Sequence, residues 1–216
     1  MLKVIIFDMD GTIIDTDKVL IETRKELIHL YKPKDYPIDV ERLRGYSGPP
    51  IEYAIKDCFP ELDYSFILKE YRKRTKKYYD LYMKLFPNCK EVLRRLFNDG
   101  YNLAIMTAKN KEMCFQSLKK YEIDNLFSYV VTCEDLTKPK PDPQGMNLIL
   151  KHFDILSNEA LGVGDTEYDS LAASNANMPS ILMTMCPRVY KEEPHPIAYC
   201  SSYLDLYKEI KNYDHQ

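Results

Sequence analysis

The first apolar run of the chain, Val4, Ile5, Ile6 and Phe7, is continuous rather than alternating. It ends on two carboxylates, Asp8 and Asp10, followed at once by Gly11 and Thr12. An unbroken short run suits a strand buried on both faces of a parallel sheet. Side chains in extended backbone repeat every second residue, so Asp8 and Asp10 project to one side just past the strand's carboxyl end. That edge is where open α/β sheets bind ligands. Two carboxylates held side by side repel unless a cation or a proton intervenes, so the stretch already points to a metal.

Beyond residue 100 the pattern alternates between strand-like and helix-like segments. Strands are predicted at 102–107, 129–133, 160–165 and 180–185, and helices at 111–121, 143–153 and 168–176, with a closing helix from Ser202. Strands alternating with helices imply an α/β fold with a doubly wound parallel sheet.

The first crossover breaks this rhythm. From Asp8 to Tyr101 the chain runs 94 residues, where a crossover between parallel strands needs only about a dozen or more. Most of the interval has helical spacing: Val19, Leu20, Thr23, Leu27, Leu30 and Tyr31 recur on one face, "PIEYAIKDCF" reads as a short helix, and 64–85 as a long one. Only "CKEVLRRLFNDG", with Val92, Leu93, Leu96 and Phe97 on one face and Gly100 at its end, suits the crossover helix itself. Residues 16–84 are therefore expected to form a helical cap beside the sheet edge that carries Asp8 and Asp10, with 1–15 and 85–216 forming the core.

Composition narrows the partners. The 216 residues include 45% hydrophobic positions, enough for a substantial core. A formal net charge of -3 provides no global basic field to recruit nucleic acid. The apolar runs are strand-sized, far short of the ~20 residues that span a bilayer. The first strand begins almost at the first residue, which leaves no room for a cleavable signal, so a cytoplasmic, unanchored protein, monomeric or homodimeric, is expected. Six scattered cysteines without a CxxC pair read as reduced, packed thiols. The basic run 69–77, with Tyr71, Tyr78 and Tyr82 at helical intervals, reads as a solvated helix with an aromatic stripe.

Each later strand also ends on a polar residue suited to phosphate or metal. Thr107 in "IMTAKN" can hold an anion together with the backbone amides that follow it. Lys138 lies in "LTKPKPDP", where prolines stiffen the backbone that would aim its ammonium group. "GVGDTEYD" supplies Asp165 and Asp169. Taken singly these are a turn residue, an exposed loop lysine and a helix N-cap. Their joint order, each at the carboxyl end of a strand in one parallel sheet, brings them together in space.

With that order the chain resembles the haloacid dehalogenase superfamily of hydrolases, with a Rossmann-like core and an inserted helical cap. Asp8, Asp10, Gly11 and Thr12 match its first motif, Thr107 the second, Lys138 the third, and Asp165 with Asp169 the fourth. The resemblance implies a Mg2+-dependent phosphohydrolase acting on a small phosphorylated metabolite. Asp8 would be the nucleophile that forms an aspartyl-phosphate, and Asp10 the acid and then base for the leaving group and the water. Thr107, the Ala108 amide and Lys138 would grip the phosphoryl oxygens. Asp8, Asp165 and the backbone carbonyl of Asp10 would hold the cation, with Asp169 behind them.

Asp10 argues against halide displacement, since dehalogenases of this fold lack the second aspartate. Leu20 and Gly48 stand where the sugar-phosphate mutases carry a histidine and an arginine, which demotes a β-phosphoglucomutase-like isomerase. "RLRGYSGPPIEYAI" is instead similar to the Gly-x-Pro-Pro cap loop of phosphoglycolate phosphatases and of related bacterial inorganic pyrophosphatases. The expected order of readings is a phosphoglycolate phosphatase, then a pyrophosphatase, then the mutase, and last a non-catalytic phosphate-binding protein. Residues 44–50, with Arg44, Gly45, Gly48 and Pro49, are expected to be the specificity loop.

Overall fold

The computed structural model describes every residue except Pro50, Val189, Lys191, Glu192 and Gln216; Pro50, in the expected specificity loop, thus lies outside the described residues. The chain opens with strand β1 (Val4–Phe7), which sits inside a six-stranded sheet. The other strands are β4 (Asn102–Met106), β5 (Phe127–Val131), β6 (Ala160–Gly164), β7 (Ser180–Met183) and β8 (Ala198–Cys200). Their order is β5-β4-β1-β6-β7-β8, with every pair parallel. All four residues of β1 are buried because both faces are covered. Ile5 and Phe7 pack with Val92, Leu93, Leu118 and Leu206 on one side, whereas Val4 and Ile6 pack with Met146, Ile149 and Ala172 on the other. The covering helices are α5 (Cys89–Asn98), α6 (Lys111–Lys120) and α9 (Tyr203–Asp214) on the first face, with α7 (Gln144–Phe153) and α8 (Glu167–Asn175) on the second.

Between β1 and α5 lies the inserted helical cap, made of α1 (Asp17–Tyr31), α2 (Val40–Arg44), α3 (Ile51–Cys58) and α4 (Tyr64–Tyr82). It has its own apolar core around Leu27, Ile28, Leu43, Ile55 and Ile67. The chain enters and leaves it through two short antiparallel strands, β2 (Ile14–Asp15) and β3 (Lys84–Leu85), which pair with each other.

Several boundaries differ from the pattern-based expectation for local reasons. Helix α4 stops at Tyr82 rather than 85 because Lys84 and Leu85 are taken into the β2–β3 ladder. The third core strand ends at Val131, two residues before the expected Cys133, because Asp135 accepts from both the backbone and the hydroxyl of Thr132 and starts a turn there. Strand β8 and helix α2 are additions that the pattern did not predict; both are short, of three and five residues. On α1 the buried stripe is Val19, Thr23, Leu27 with Ile21, Arg24 and Ile28, and Leu30 faces solvent. Five cysteines are buried and Cys133 is exposed, and all six are free thiols. Among the described residues no helix is long and apolar enough to cross a membrane.

Candidate active site

The site is built on the carboxyl ends of β1, β4 and β6 and on the segments that follow β5 and β7. Asp8 follows β1 directly, and its backbone amide donates to the Val163 carbonyl at 2.9 Å, which extends the β1–β6 ladder to Asp8. The chain then turns sharply, with the amides of Ile13 and Ile14 both donating to the Met9 carbonyl. Gly11 has φ +88°, and a Cβ there would lie 2.2 Å from Asp165 Oδ2. Only glycine meets both demands of this turn, a left-handed backbone and close approach to a second acidic residue.

Asp165 and Asp169 come from the end of β6 and the first turn of α8. Asp169 does two jobs. Its Oδ2 accepts from the Thr166 amide at 3.0 Å and the Thr166 hydroxyl at 2.7 Å, a capping box for α8. Its Oδ1 accepts from a lysine Nζ at 2.5 Å, and the same ammonium donates to Asp8 Oδ1 at 2.7 Å. That lysine is Lys140. Lys138, expected in this place, is exposed, and its nearest acidic partner is Asp142 at 3.5 Å. The cause is local: the side chain of Gln144, at the start of α7, accepts from the amides of Thr137 and Lys138 at 3.0 and 3.1 Å. This pins the first Lys-Pro pair to the surface and leaves the second to enter the site.

Among the described residues Asp8, Asp165 and Asp169 form an acidic cluster with ligand oxygens within 4.8 Å of one another. Burial pushes the Asp8 carboxyl up to about 7, with Lys140 opposing and the charges of Asp169 and Asp165 adding to it. Burial likewise pushes Asp165 up to about 6 against the pull of Arg188. At Asp169 burial is outweighed by Lys140 and the Thr166 donors, which hold it below the usual carboxylate range. Three carboxylates thus face two cationic side chains, Lys140 and Arg188, and remain short of positive charge. A hard divalent cation with oxygen ligands would supply what is missing.

The side chain of Asp10 points away from that cluster. Its Oδ1 accepts from Lys109 Nζ at 2.7 Å and from the Tyr79 hydroxyl at 3.0 Å, and Lys109 also donates to that hydroxyl. Tyr79 comes from cap helix α4, so the cap reaches the second aspartate of the first motif directly. Thr107 is buried at the end of β4, where its amide continues the ladder to the Val131 carbonyl and its hydroxyl accepts from the Lys109 amide at 3.2 Å. Ala108 is exposed in the turn that follows.

The cap loop meets the fourth motif at Gly48, where φ is +114° and a Cβ would lie 2.8 Å from the Thr166 methyl carbon. Arg24, buried in α1, holds this loop by donating to the carbonyls of Leu43 and Tyr46 at 2.8 and 2.9 Å and to Ser47 Oγ at 3.2 Å. Arg44 faces Asp17 at 3.3 Å, Gly45 ends α2, and Pro49 is half-buried. A further cation arrives after β7: Arg188 Nε donates to Asp165 Oδ2 at 2.6 Å, Nη2 lies 2.5 Å from the same oxygen, and Nη1 is 3.5 Å from Asp17.

Lys140, Lys109, Tyr79, Arg24 and Arg188 were not expected at these positions. Lys109 had a usable signal, since it lies two residues after Thr107 in "MTAKN", and so did Lys140 in the second of two adjacent Lys-Pro pairs. Tyr79 sits beside the aromatic stripe of α4 without standing out from it, and Arg188 has no local sequence signal.

Known proteins resemble this chain along most of its length. The family described as "Haloacid dehalogenase-like hydrolase" matches residues 5–183. The chain is 33% identical over 218 residues to "Putative pyrophosphatase PpaX" of Caldanaerobacter subterraneus, covering 99% of this chain and 96% of that protein. It is 28% identical to "Pyrophosphatase PpaX" of Bacillus thuringiensis, covering 95% and 94%. Its fold is that of a "predicted phosphoglycolate phosphatase" from Haemophilus somnus, with a TM-score of 0.80, 24% identity and coverage of 97% and 98%.

Proposed function

Because this chain belongs to the haloacid dehalogenase-like hydrolase family, and is a phosphohydrolase in its core and acidic cluster, we propose that its substrate is inorganic pyrophosphate and its cation Mg2+. Residues 16–84 serve as the cap over the cleft. The observation that carries the chemistry is Lys140 bridging Asp8 and Asp169 at 2.7 and 2.5 Å at the end of β1. The choice of pyrophosphate is supported by the relatives named pyrophosphatases, which match along nearly the whole of both chains. Phosphoglycolate, first in the order that the cap loop implied, ranks second on that ground.

Asp8 attacks phosphorus through a carboxylate oxygen, forming an O–P bond as the bridging P–O bond breaks and its electron pair leaves with the departing phosphate. Asp10 gives that oxygen a proton. Asp10 then takes a proton from water, whose oxygen attacks the phosphorus of the aspartyl-phosphate and releases Asp8. Lys140 holds Asp8 in place and offsets its charge as the phosphoryl group approaches. Thr107 and the Ala108 amide lie at the end of the neighbouring strand, suited to the phosphoryl oxygens. Asp8 and Asp165, with the Asp10 carbonyl, would hold Mg2+, which supplies charge neutralisation on the phosphoryl oxygens.

Phosphate release from pyrophosphate, phosphoglycolate and a sugar phosphate, with Mg2+ and with chelator, tests this reading beside Asp8→Asn. Mg2+-dependent release fastest from pyrophosphate and abolished by Asp8→Asn is expected. A strong preference for phosphoglycolate replaces the substrate and keeps the chemistry. Isomerisation of the sugar phosphate without release, or activity surviving in Asp8→Asn, overturns it.

A further inference from the structure

Two groups beside Asp10 take no part in the steps above. Lys109 comes from the core, just after β4, and Tyr79 from the cap helix α4; they meet over one carboxylate oxygen. Both side chains are buried, Lys109 to 3% side-chain exposure. The ammonium also lies 4.2 Å from the centroid of the Tyr79 ring, within cation–π reach. The Tyr79 hydroxyl donates to Asp10 while accepting from Lys109, so the three groups form one closed set of hydrogen bonds.

The site therefore contains two buried lysines with separate assignments. Lys140 pairs with Asp8 and Asp169, on the side of the phosphoryl group that is transferred. Lys109 pairs with Asp10, the residue whose proton goes to the leaving oxygen. A cation within 3 Å of Asp10 thus flanks the leaving group rather than the transferred phosphoryl. Burying an ammonium there is costly, and a leaving group without charge gives it no partner beyond Asp10 and the phenol.

We propose that Lys109, held by Tyr79, is the specificity-determining residue of this cleft, selecting substrates whose leaving group carries its own negative charge next to the scissile oxygen. A phosphate or a small carboxylate meets that condition; a neutral sugar or phenol does not. The inference rests on the aspartyl-phosphate reading given above, and it extends that reading from the reacting atoms to the group that departs. Because Tyr79 belongs to the cap, selection is completed only where cap and core meet.

The test is a comparison of kcat/KM for pyrophosphate and for p-nitrophenyl phosphate, whose leaving group is a phenol without further charge. A hydrogen bond to a charged group contributes about 1.5–3 kcal/mol, or about 10–100-fold. Lys109→Met is expected to lose at least about tenfold more on pyrophosphate than on the aryl phosphate. Tyr79→Phe, which keeps the ring and removes one donor, should shift the ratio the same way by less, and it serves alone should Lys109→Met fail to fold. Equal losses on the two substrates, or a larger loss on the aryl phosphate, overturn the inference. If the wild-type protein cleaves phosphoglycolate but not pyrophosphate, the substrate reading fails while the comparison proceeds with phosphoglycolate as the anionic case. Activity persisting in Asp8→Asn removes the shared chemistry and this inference with it.

Discussion

Asp165 has its two carboxylate oxygens engaged within the chain: Oδ1 accepts from the Thr12 hydroxyl at 3.2 Å, and Oδ2 from Arg188 at 2.6 Å. A divalent cation held by Asp165 must share this carboxylate with a guanidinium, so Arg188 and the cation compete. Asp165 is fully buried and the Arg188 side chain is 6% exposed, so little solvent screening weakens the pair. Arg188→Ala should therefore act in opposite directions on the two states of the protein. Without metal it leaves a buried carboxylate unpaired, at a cost of about 3 kcal/mol, which for a chain of this size lowers the melting temperature by about 6–12 °C. With metal, the competing partner is gone, and affinity for Mg2+ should rise about 10–100-fold, the equivalent of one charged hydrogen bond. Thermal unfolding across a Mg2+ titration reads both effects in one experiment, and Arg188→Lys controls for charge alone. Equal or weaker Mg2+ binding by Arg188→Ala would show that the guanidinium does not oppose the cation.

Other expectations follow from the same geometry. Lys140→Ala should reduce kcat/KM by about 100-fold or more, because it strips a cation from two buried carboxylates; Lys138→Ala, at an exposed position, should change stability by no more than about 0.5 kcal/mol. Steady-state kinetics and denaturation of the two variants decide between the lysines. Protons bind the folded, metal-free chain more tightly than the unfolded one at Asp8 and Asp165, where burial has raised the carboxyls to about 7 and about 6. Their contribution to stability is therefore present in full below about pH 4, the unfolded carboxylate range, and is lost as pH rises through 6 to 7. Chelated protein should melt progressively lower over that window, and Mg2+ should narrow the difference; a chelated melting temperature that rises there would contradict the assignment. Gly11→Ala should cost several kcal/mol or leave the protein unfolded, since its Cβ would clash with Asp165 in a backbone that alanine avoids, a result that denaturant unfolding measures.

How much of this was legible in the sequence depended on the range of the interaction that decides each feature. Strand β1, with Asp8 just past its end, follows from local pattern alone, because burial on both faces leaves an unbroken apolar run; Asp10 does not keep to the side of Asp8 that strand periodicity implied, because the chain turns at Met9 and its carboxylate pairs with Lys109 and Tyr79. The cap appears as a crossover far too long, with helical spacing inside it. Lys138 and Lys140 are locally equivalent, each followed by proline, and a hydrogen bond from the Lys138 amide to the Gln144 side chain several residues away distinguishes them. Asp169 as an N-terminal acid was readable as a helix cap, yet its second oxygen serves Lys140, a partner 29 residues distant. Arg188 reaches Asp165 across 23 residues and Asp17 across 171, and Tyr79 reaches Asp10 across 69. Such contacts exist only once the sheet and the cap have docked. Strand β8, three residues long, is too short to show a period.

The ladder of β2 and β3 has a consequence for ancestry and engineering. Ile14 pairs with Leu85 and Asp15 with Lys84, so the chain departs from and rejoins the sheet domain at one spot. Everything between is a loop in the topological sense, however large. A segment anchored this way can be shortened, lengthened or exchanged for one of another shape without rethreading a single core strand, because the gap to be bridged is no wider than two paired strands, about 5 Å. Grafting the cap of a relative between Asp15 and Lys84 should therefore preserve the sheet with Asp8, Thr107, Lys109, Lys140 and Asp165 while replacing Tyr79, so that the cap's share of substrate choice is exchanged with the core held constant.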